Sequence, residues 1–299
     1  MKDFGRPLQF GVSIDPSAAG FAEALALARQ ADKAGLDYLA VQDHPYQPGH
    51  LDVWTMLTYL LARTDRISAL SDVIDLQLRP PTILAKAAAS LASMAGGRLT
   101  LGVGGGASPQ GIASMGGAPR EGGAMVEFTE EAVRILRQAL RGETVRTTTR
   151  HHQIAGYQAG PVPPRPVEVW LGSQKPRMLA ATGRAGDGWI CPLNIYVPPE
   201  NVAALQARID DAARGAGRDP GEVRRVYNVL GAIGPEHRGQ GLSGTVGKWI
   251  DTLTVWAVEL GFDTFVFWPT ARPAAQLELF ASEVVPAVRE AVAERRGRS

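Results

Sequence analysis

Eight short apolar segments alternate with eight helix-like segments along this chain, and this alternation restricts the fold more than any other feature. The predicted strands are Leu8–Ile14, Tyr38–Gln42, Arg66–Ile74, Arg98–Gly104, Val167–Leu171, Gly188–Cys191, a run within Val223–Ile233, and Thr264–Trp268. The predicted helices are Phe21–Ala34, Val53–Ala62, Pro80–Ala95, Met125–Leu140, Pro176–Ala185, Pro199–Ala213, Thr245–Leu260 and Ala274–Ala293. Because parallel strands need crossovers, this pattern predicts an α/β fold, a (β/α)8 TIM barrel. The alternative, an open doubly wound sheet, would place its glycine motif after the first strand rather than the fourth.

The size and charge of the chain exclude several classes of protein. Its 299 residues fit a single barrel domain, and its net charge of +1 predicts no surface for nucleic acid. No apolar run is long enough to span a bilayer, and residues 1–5 lack the apolar core of a signal peptide. The single cysteine, Cys191, excludes an internal disulfide. We therefore expect a cytoplasmic protein that acts on a small molecule.

Two loops have the composition of anion sites. The fourth strand runs into Gly104, Gly105 and Gly106. Glycines allow a sharp turn whose backbone N–H groups suit a phosphate, although an ordinary flexible turn would look the same. The loop from Gly172 to Lys175, with Ser173 and Gln174 between them, precedes a helix that begins with a proline. The start of that helix favours an anion, which Ser173 and Lys175 could contact, while simple capping by Ser173 is the alternative.

Polar residues at two other strand ends are candidates for chemistry. Asp43 and His44 follow the second strand, where a histidine faces the barrel mouth and can act as a general acid or base that the aspartate orients. Ser71, Asp72 and Val73 interrupt the apolar third strand. This irregularity can be a bulge, but these residues alone favour an ordinary strand end.

Two segments break the alternation and are predicted to be irregular loops at the carboxyl end of the barrel, 105–124 and 142–166. The second contains His151 and His152. Because neighbours in a strand face opposite sides and no further ligand has a suitable spacing, we interpret this pair as part of a solvated loop and predict no metal site. Trp189 and Trp268 lie at strand ends and either wall a planar ligand or pack in the core.

Five segments in order carry a family resemblance. They are Ala34 to Tyr38 with Asp43 and His44, Leu78 to Pro81 with Leu84 to Lys86, Gly96 to Gly104, Gly172 with Pro176 to Leu179, and Gly186 to Trp189. With these motifs the chain resembles the luciferase-like superfamily of flavin- and deazaflavin-dependent oxidoreductases over most of its length. The fourth and fifth segments look most like the branch that uses coenzyme F420 and includes methylene-tetrahydromethanopterin reductases.

The resemblance implies a cofactor across the barrel mouth, with its phosphate at the loops after strands four and five. Gly104 to Gly106 and Gly172 to Gln174 would then contact the cofactor tail, and Lys175 could hold a phosphate or polyglutamate group. A cis peptide bond within Ser71 to Val73 would support the cofactor ring. His44 would carry the proton that accompanies hydride transfer, and both irregular loops would close over the substrate.

The resemblance also leaves alternatives open. Ala107 stands where sugar-phosphate dehydrogenases of the branch carry an acid, which argues against that activity, and Lys175 replaces a glycine found in many members. An FMN-dependent monooxygenase served by a separate flavin reductase is the first alternative, and a non-catalytic cofactor-binding protein is the second. Relatives are commonly homodimers, so a homodimer is expected here, with apolar residues of the second and third helices as the candidate interface.

Overall fold

Eight parallel strands close into a barrel in the computed structural model, which describes residues 3–234 and 239–297. Met1 and Lys2, the start of the N-terminal segment considered above, lie outside these residues. The barrel strands are β1 (Gln9–Ile14), β2 (Tyr38–Val41), β3 (Ser68–Ser71), β5 (Leu99–Gly104), β8 (Val169–Gly172), β9 (Gly188–Cys191), β10 (Arg224–Ile233) and β12 (Thr264–Pro269). They pair in this order around the barrel, and β12 pairs with β1 to close it. The predicted (β/α)8 fold is confirmed.

Helices surround this barrel and supply the crossovers. They are α1 (Phe21–Lys33), α2 (Val53–Leu61), α3 (Pro81–Met94), α4 (Pro109–Ser114), α5 (Gly122–Leu140), α6 (Pro176–Ala185), α7 (Pro199–Gly215), α8 (Val246–Val258), α9 (Pro273–Leu279) and α10 (Val285–Gly297). Their ends follow local chemistry. The Asp52 carboxylate accepts the Thr55 N–H at 2.8 Å to cap α2, while Gly35 and Gly96 take positive φ values of 80° and 64° just beyond α1 and α3.

The barrel interior is filled by its own cluster of side chains. Seven buried residues form it: Tyr38, Ala40, Leu70, Trp170, Ile190, Val226 and Val266. Val73 and Trp268 pack on this cluster. Because the interior is solid, as in other barrels of this type, a ligand can enter only at the mouth, above Val73 and Trp268.

Four predicted segments differ from the structure. The third strand is interrupted after Ser71, and the chain pairs again as β4 (Ile74–Asp75), so a bulge lies where these residues alone favoured an ordinary strand end. Helix eight is divided by a π-helical segment, Phe280–Val284, between α9 and α10, and β11 (Leu242–Gly244) was not predicted. The segment 105–124 contains α4, and 142–166 contains an antiparallel hairpin, β6 (Thr144–Thr148) with β7 (Gln153–Gln158). The prediction of irregular loops was therefore wrong for these parts, because short polar strands lack a strong apolar pattern.

Candidate active site

A cavity of about 670 Å³ opens at the carboxyl ends of the barrel strands. Ten of the residues predicted from the sequence line it: His44, Asp72, Val73, Gly104, Gly105, Gly106, Gly172, Ser173, Gln174 and Lys175. Asp43 and Ser71 do not line it. Ser71 lies behind the wall, where its hydroxyl donates to the Gly102 carbonyl at 2.8 Å and accepts from the Gly102 N–H at 3.0 Å. Its role is therefore to join β3 to β5.

Val73 forms the floor of the cavity between two glycines on neighbouring strands. A β-carbon at Gly104 would lie 2.8 Å from Val73 Cγ2, and one at Gly172 would lie 3.0 Å from the same atom. These glycines therefore allow Val73 to stand at the barrel mouth. The peptide bond between Asp72 and Val73 is cis, within the segment for which the resemblance implied such a bond.

The amino end of α6 is open to the cavity. No side chain caps this helix, and its first residue, Pro176, has no N–H to satisfy. Lys175 lines the cavity at φ −85°, which is ordinary for a non-glycine residue, so its replacement of a glycine carries no strain. The Ser173 hydroxyl is paired with Thr182 Oγ1 at 2.9 Å, so it neither caps the helix nor faces an anion.

His44 lines the cavity with its imidazole held by a tyrosine. Tyr46 Oη lies 3.0 Å from His44 Nδ1, and the rings of His44 and His50 are 6.2 Å apart. Burial, followed by the neighbouring His50, lowers the pKa of His44, while Asp43 opposes this shift. The imidazole is therefore neutral at pH 7 and suited to accept a proton.

Asp43 does not orient His44 by a hydrogen bond, contrary to the sequence prediction. Its side chain turns behind the cavity wall, where Oδ2 accepts the Asp75 N–H at 3.2 Å and Oδ1 lies 3.7 Å from Arg79 Nη2. Consecutive residues of an extended segment point to opposite sides, so Asp43 and His44 diverge. Burial raises the pKa of Asp43, and the Arg79 guanidinium acts against that rise.

Asp72 is held from the opposite side of the barrel. Asn228 Nδ2 donates to Asp72 Oδ1 at 3.3 Å, and Trp268 Nε1 donates to Asn228 Oδ1 at 3.1 Å. Asp72 Oδ2 is shielded from solvent and has no hydrogen-bond partner among the described residues. Burial raises the pKa of Asp72 to about 7, against the smaller opposing effect of Asn228.

The segment 105–124 lines the cavity with its first three residues, Gly105 to Ala107, and its later part is fixed to the glycine turn. Gln77 Nε2 donates to the Gly105 carbonyl at 2.6 Å and the Arg120 carbonyl at 3.2 Å, while Gln77 Oε1 accepts the Arg120 N–H. On α4, Gly111 lies against the Tyr46 ring, since a β-carbon there would be 2.5 Å from Tyr46 Cγ. The segment thus contacts the residue that holds His44.

The hairpin β6–β7 instead packs along α5 and contributes no residue to the cavity lining. His152 Nδ1 lies 3.1 Å from Glu131 Oε2, and its ring stacks on Phe128 with centroids 4.8 Å apart. His151 Nε2 lies 3.6 Å from Glu127 Oε2. The interpretation of His151 and His152 as a solvated pair was wrong, because Phe128 and the two glutamates on α5 provide a partly buried docking surface for them.

The remaining candidates divide between wall and core. Trp268 lines the cavity, whereas Trp189 is fully buried, stacks on Phe262 at 5.9 Å and donates its N–H to the Ser173 carbonyl.

Sequence reasoning missed Asn228 and Tyr46. Asn228 carried a usable signal, because it is a polar residue within the apolar run of the seventh predicted strand. The role of Tyr46 had no local signal, since the tyrosine acts through contacts with His44 and a distant glycine.

This fold and cavity define a (β/α)8-barrel enzyme whose mouth joins a glycine-rich turn to a histidine and a buried acid. The family model described as Luciferase-like monooxygenase matches residues 3–238, and the chain belongs to this family. The predicted resemblance to luciferase-like oxidoreductases is confirmed at this level.

Individual relatives agree with the assignment. The chain is 32% identical over 244 residues to the F420-dependent glucose-6-phosphate dehydrogenase of Tsukamurella paurometabola, covering 77% of this chain and 70% of that protein. It is 30% identical over 220 residues to the 5,10-methylenetetrahydromethanopterin reductase of Methanolobus tindarius, covering 72% of this chain and 63% of that protein. The solved structure of an F420-dependent secondary alcohol dehydrogenase superposes with a TM-score of 0.83 at 18% identity, covering 95% of this chain and 99% of that one, which shows a shared fold.

Within residues 3–234 and 239–297, no helix is both long and apolar enough to cross a membrane.

Proposed function

We propose that this chain transfers hydride between the deazaflavin coenzyme F420 and a small organic substrate. The observation that carries the proposal is the meeting, in one cavity, of the glycine turn after β5, the open amino end of α6 and the neutral imidazole of His44. The glycine turn and the helix end suit the phosphate of a cofactor, and the imidazole suits transfer of the proton that accompanies the hydride.

The residues present fit such a cofactor. Val73, between the bare α-carbons of Gly104 and Gly172, provides a narrow apolar support for a planar ring. The Lys175 side chain is exposed and forms no hydrogen bond or ion pair with the described residues, so its ammonium is available to a phosphate at the α6 end. When bound, the deazaflavin supplies the hydride donor or acceptor, and the protein supplies position and proton transfer.

His44 would act as the proton-transferring residue at the mouth. Its ring is fixed by Tyr46, which in turn packs against α4, so the segment over the cavity and the position of the imidazole are physically connected. A lowered pKa keeps the ring ready to accept a proton at neutral pH. Residues 105–107 line the cavity, and closure of the rest of the segment 105–124 over it would limit entry of water to the reacting atoms.

The cavity lining does not favour a phosphorylated substrate. Lys175 is the one lysine or arginine among the described residues that line the cavity, and the proposal assigns it to the cofactor. Ala107 follows the glycine turn with no charge. The proposal therefore takes uncharged carbonyl, imine or alkene compounds and the corresponding alcohols or amines as the substrates to test, ahead of sugar phosphates.

A parallel titration of the purified protein with F420 and with FMN, each oxidised and reduced, tests this proposal. We expect micromolar or tighter binding of F420 and weak binding of FMN. Preference for reduced FMN, with oxygen consumption in the presence of a substrate, would replace the proposal with a monooxygenase supplied by a flavin reductase. Binding of F420 together with reaction rates that do not change in His44→Ala would indicate a cofactor-binding protein without catalysis by this residue. Binding of neither would reject the cofactor site.

We also propose a homodimer formed through α2 and α3. Tyr59, Ile83 and Met94 on these helices are exposed, with 40%, 68% and 74% of their surface accessible. Large apolar side chains grouped on neighbouring helices favour a covered surface. Light scattering should give twice the mass of the 299-residue chain, and Ile83→Glu should shift the protein toward the monomer. A monomeric wild-type protein at micromolar concentration would contradict this.

A further inference from the structure

We propose that Asp72 is the acid that gives a proton to the substrate, and that the substrate lies in the half of the cavity bounded by Asn228 and Trp268. This inference rests on the proposed hydride transfer, because it assigns a second proton-transferring residue to that reaction. It concerns a residue that the sequence indicated only as support for a cofactor ring.

Asp72 is the one carboxylic acid among the described residues that line the cavity. Its Oδ2 is buried, yet no described residue donates a hydrogen bond to it. A buried carboxyl oxygen without a partner is costly, and such atoms are found where a ligand or a proton completes the site. The carboxyl group therefore has one oxygen held by the protein and one, beside the cavity, that no described residue pairs.

The fixed oxygen gives the carboxyl group a defined direction. Trp268 Nε1 donates to Asn228 Oδ1 at 3.1 Å, and Asn228 Nδ2 donates to Asp72 Oδ1 at 3.3 Å. The Asp72 N–H also donates to the Val41 carbonyl at 2.8 Å. Three strands, β2, β10 and β12, thus hold one acid, which is the arrangement expected of a group that must meet a reacting atom.

The surroundings keep a large fraction of this acid protonated at neutral pH. Nothing charged opposes the effect of burial, because the groups that hold Asp72 are the Val41 carbonyl and the neutral side chain of Asn228. Burial raises its pKa to about 7, whereas the pKa of His44 is lowered. The cavity therefore contains a neutral base and a protonated acid at the same pH, and only the acid can donate.

The position of Asp72 separates it from the proposed phosphate site. Val73 faces Gly104 and Gly172 on β5 and β8, while Asp72 contacts Asn228 on β10 and, through it, Trp268 on β12. Trp268 and Gln42 also line a second cavity of about 560 Å³. The acid thus lies on the side where additional space for a substrate begins.

The proposed step balances. A carbonyl or imine carbon gains a hydride, with its two electrons, from the reduced deazaflavin, which is thereby oxidised. The carbonyl oxygen or imine nitrogen gains a proton from Asp72 as the O–H bond of the acid breaks. The neutral imidazole of His44 accepts the proton that the reduced deazaflavin releases on oxidation, and the Asp72 carboxylate regains its proton from solvent. The reverse reaction uses Asp72 as the base.

Infrared difference spectroscopy of the cofactor-free protein tests the protonation state without any turnover. Between about pH 5 and pH 9 we expect the carbonyl stretch of a protonated carboxylic acid to disappear with a midpoint near pH 7 in the wild type. The signal should be missing in Asp72→Asn and unchanged in Asp251→Asn, a matched change of an exposed aspartate on α8 that lines neither cavity. Absence of such a titration in the wild type would overturn the inference.

Stopped-flow oxidation of reduced F420 by 2-cyclohexenone, acetone or 1-pyrroline tests the chemical role. With the fastest of these probes, Asp72→Asn should lower the rate by roughly 10²-fold or more, with a cofactor Kd within about threefold of the wild type, while Asp251→Asn keeps the full rate. A rate in Asp72→Asn within about threefold of the wild type would overturn the inference even though hydride transfer stands. Failure of the proposed function is distinct, since the wild type would then bind no F420.

Discussion

Val73 packs against the bare α-carbon of Gly104, so closely that a β-carbon at 104 would lie 2.8 Å from Val73 Cγ2. The two residues come from different strand ends, β5 and the turn after β3. Because contacts of this length do not occur between real side chains, any residue larger than glycine at 104 must displace Val73 from the cavity floor.

We therefore expect Gly104→Ala to weaken cofactor binding about tenfold, equivalent to about 1.4 kcal/mol, because the displaced valine intrudes on the space of the ring. The double variant Gly104→Ala/Val73→Ala should regain most of this loss, since the smaller side chain relieves the overlap. Titration of F420 into the two single variants and the double variant measures the coupling. Additive effects of the two changes on the cofactor Kd would show that the contact between residues 73 and 104 does not determine how the cofactor binds.

His44→Ala should reduce turnover by roughly 10²- to 10⁴-fold while cofactor affinity changes little, because the imidazole moves a proton and does not hold the cofactor. The acid-side loss of activity in the wild type should fall below the ordinary pKa of histidine, since burial and His50 lower the pKa of His44 and the neutral form persists to lower pH. A pH–rate profile with parallel binding titrations measures both. Equal losses of rate and affinity would contradict a catalytic role.

Gly111→Ala should impair turnover through Tyr46, although residue 111 does not line the cavity. A β-carbon at 111 would lie 2.5 Å from Tyr46 Cγ, so either the tyrosine or α4 must move, and the hydrogen bond to His44 Nδ1 would be lost or lengthened. We expect a fall in kcat of roughly tenfold, the size of effect that the loss of one orienting contact gives. Gly49→Ala is the matched control, because a β-carbon there meets nothing within 4 Å. Equal kinetics of the two variants would refute the connection.

Arg79→Met should destabilise the fold by about 2 kcal/mol at neutral pH, the cost of removing a charged partner from a buried carboxylate. Arg79 is ion-paired with Asp43 at 3.7 Å and also with Asp52. Burial already raises the pKa of Asp43 in the folded protein, so its carboxyl group costs stability as the pH rises through that pKa, and removal of Arg79 increases this cost. The pKa of Asp52 is lowered with help from Arg79, so its stabilising contribution at neutral pH would also decrease.

The loss in Arg79→Met should consequently grow with pH and be smallest below about pH 3, where both aspartates are largely protonated in the unfolded chain. Denaturant unfolding at several pH values measures this dependence. Arg63→Met provides the control, because the Arg63 guanidinium lies over the Tyr59 ring without an ion pair among the described residues. A destabilisation that is the same at all pH values would argue against electrostatic coupling of Arg79 to the aspartates.

Much of the fold follows from local patterns. The α6 bounds, Pro176–Ala185, agree with the prediction because a proline and a glycine enclose an amphipathic run. The hairpin of residues 144–158 was missed for the opposite reason, since its strands are short and polar and are stabilised against α5 by Glu131 and Phe128. Contacts with a distant helix leave no periodic signal in the segment itself.

The sequence by itself determined the barrel, the glycine turn, the start of α6 and the presence of a histidine at a strand end, because each depends on residues close together in the chain. Only the tertiary structure decided what these residues contact. In the folded protein Asp43 lies near Arg79, and His44 contacts Tyr46. Asp72 lies beside Asn228, which is 156 positions away in the sequence. The physical reason is that burial and hydrogen bonding set the protonation and direction of a side chain, and both come from strands that meet only when the barrel closes.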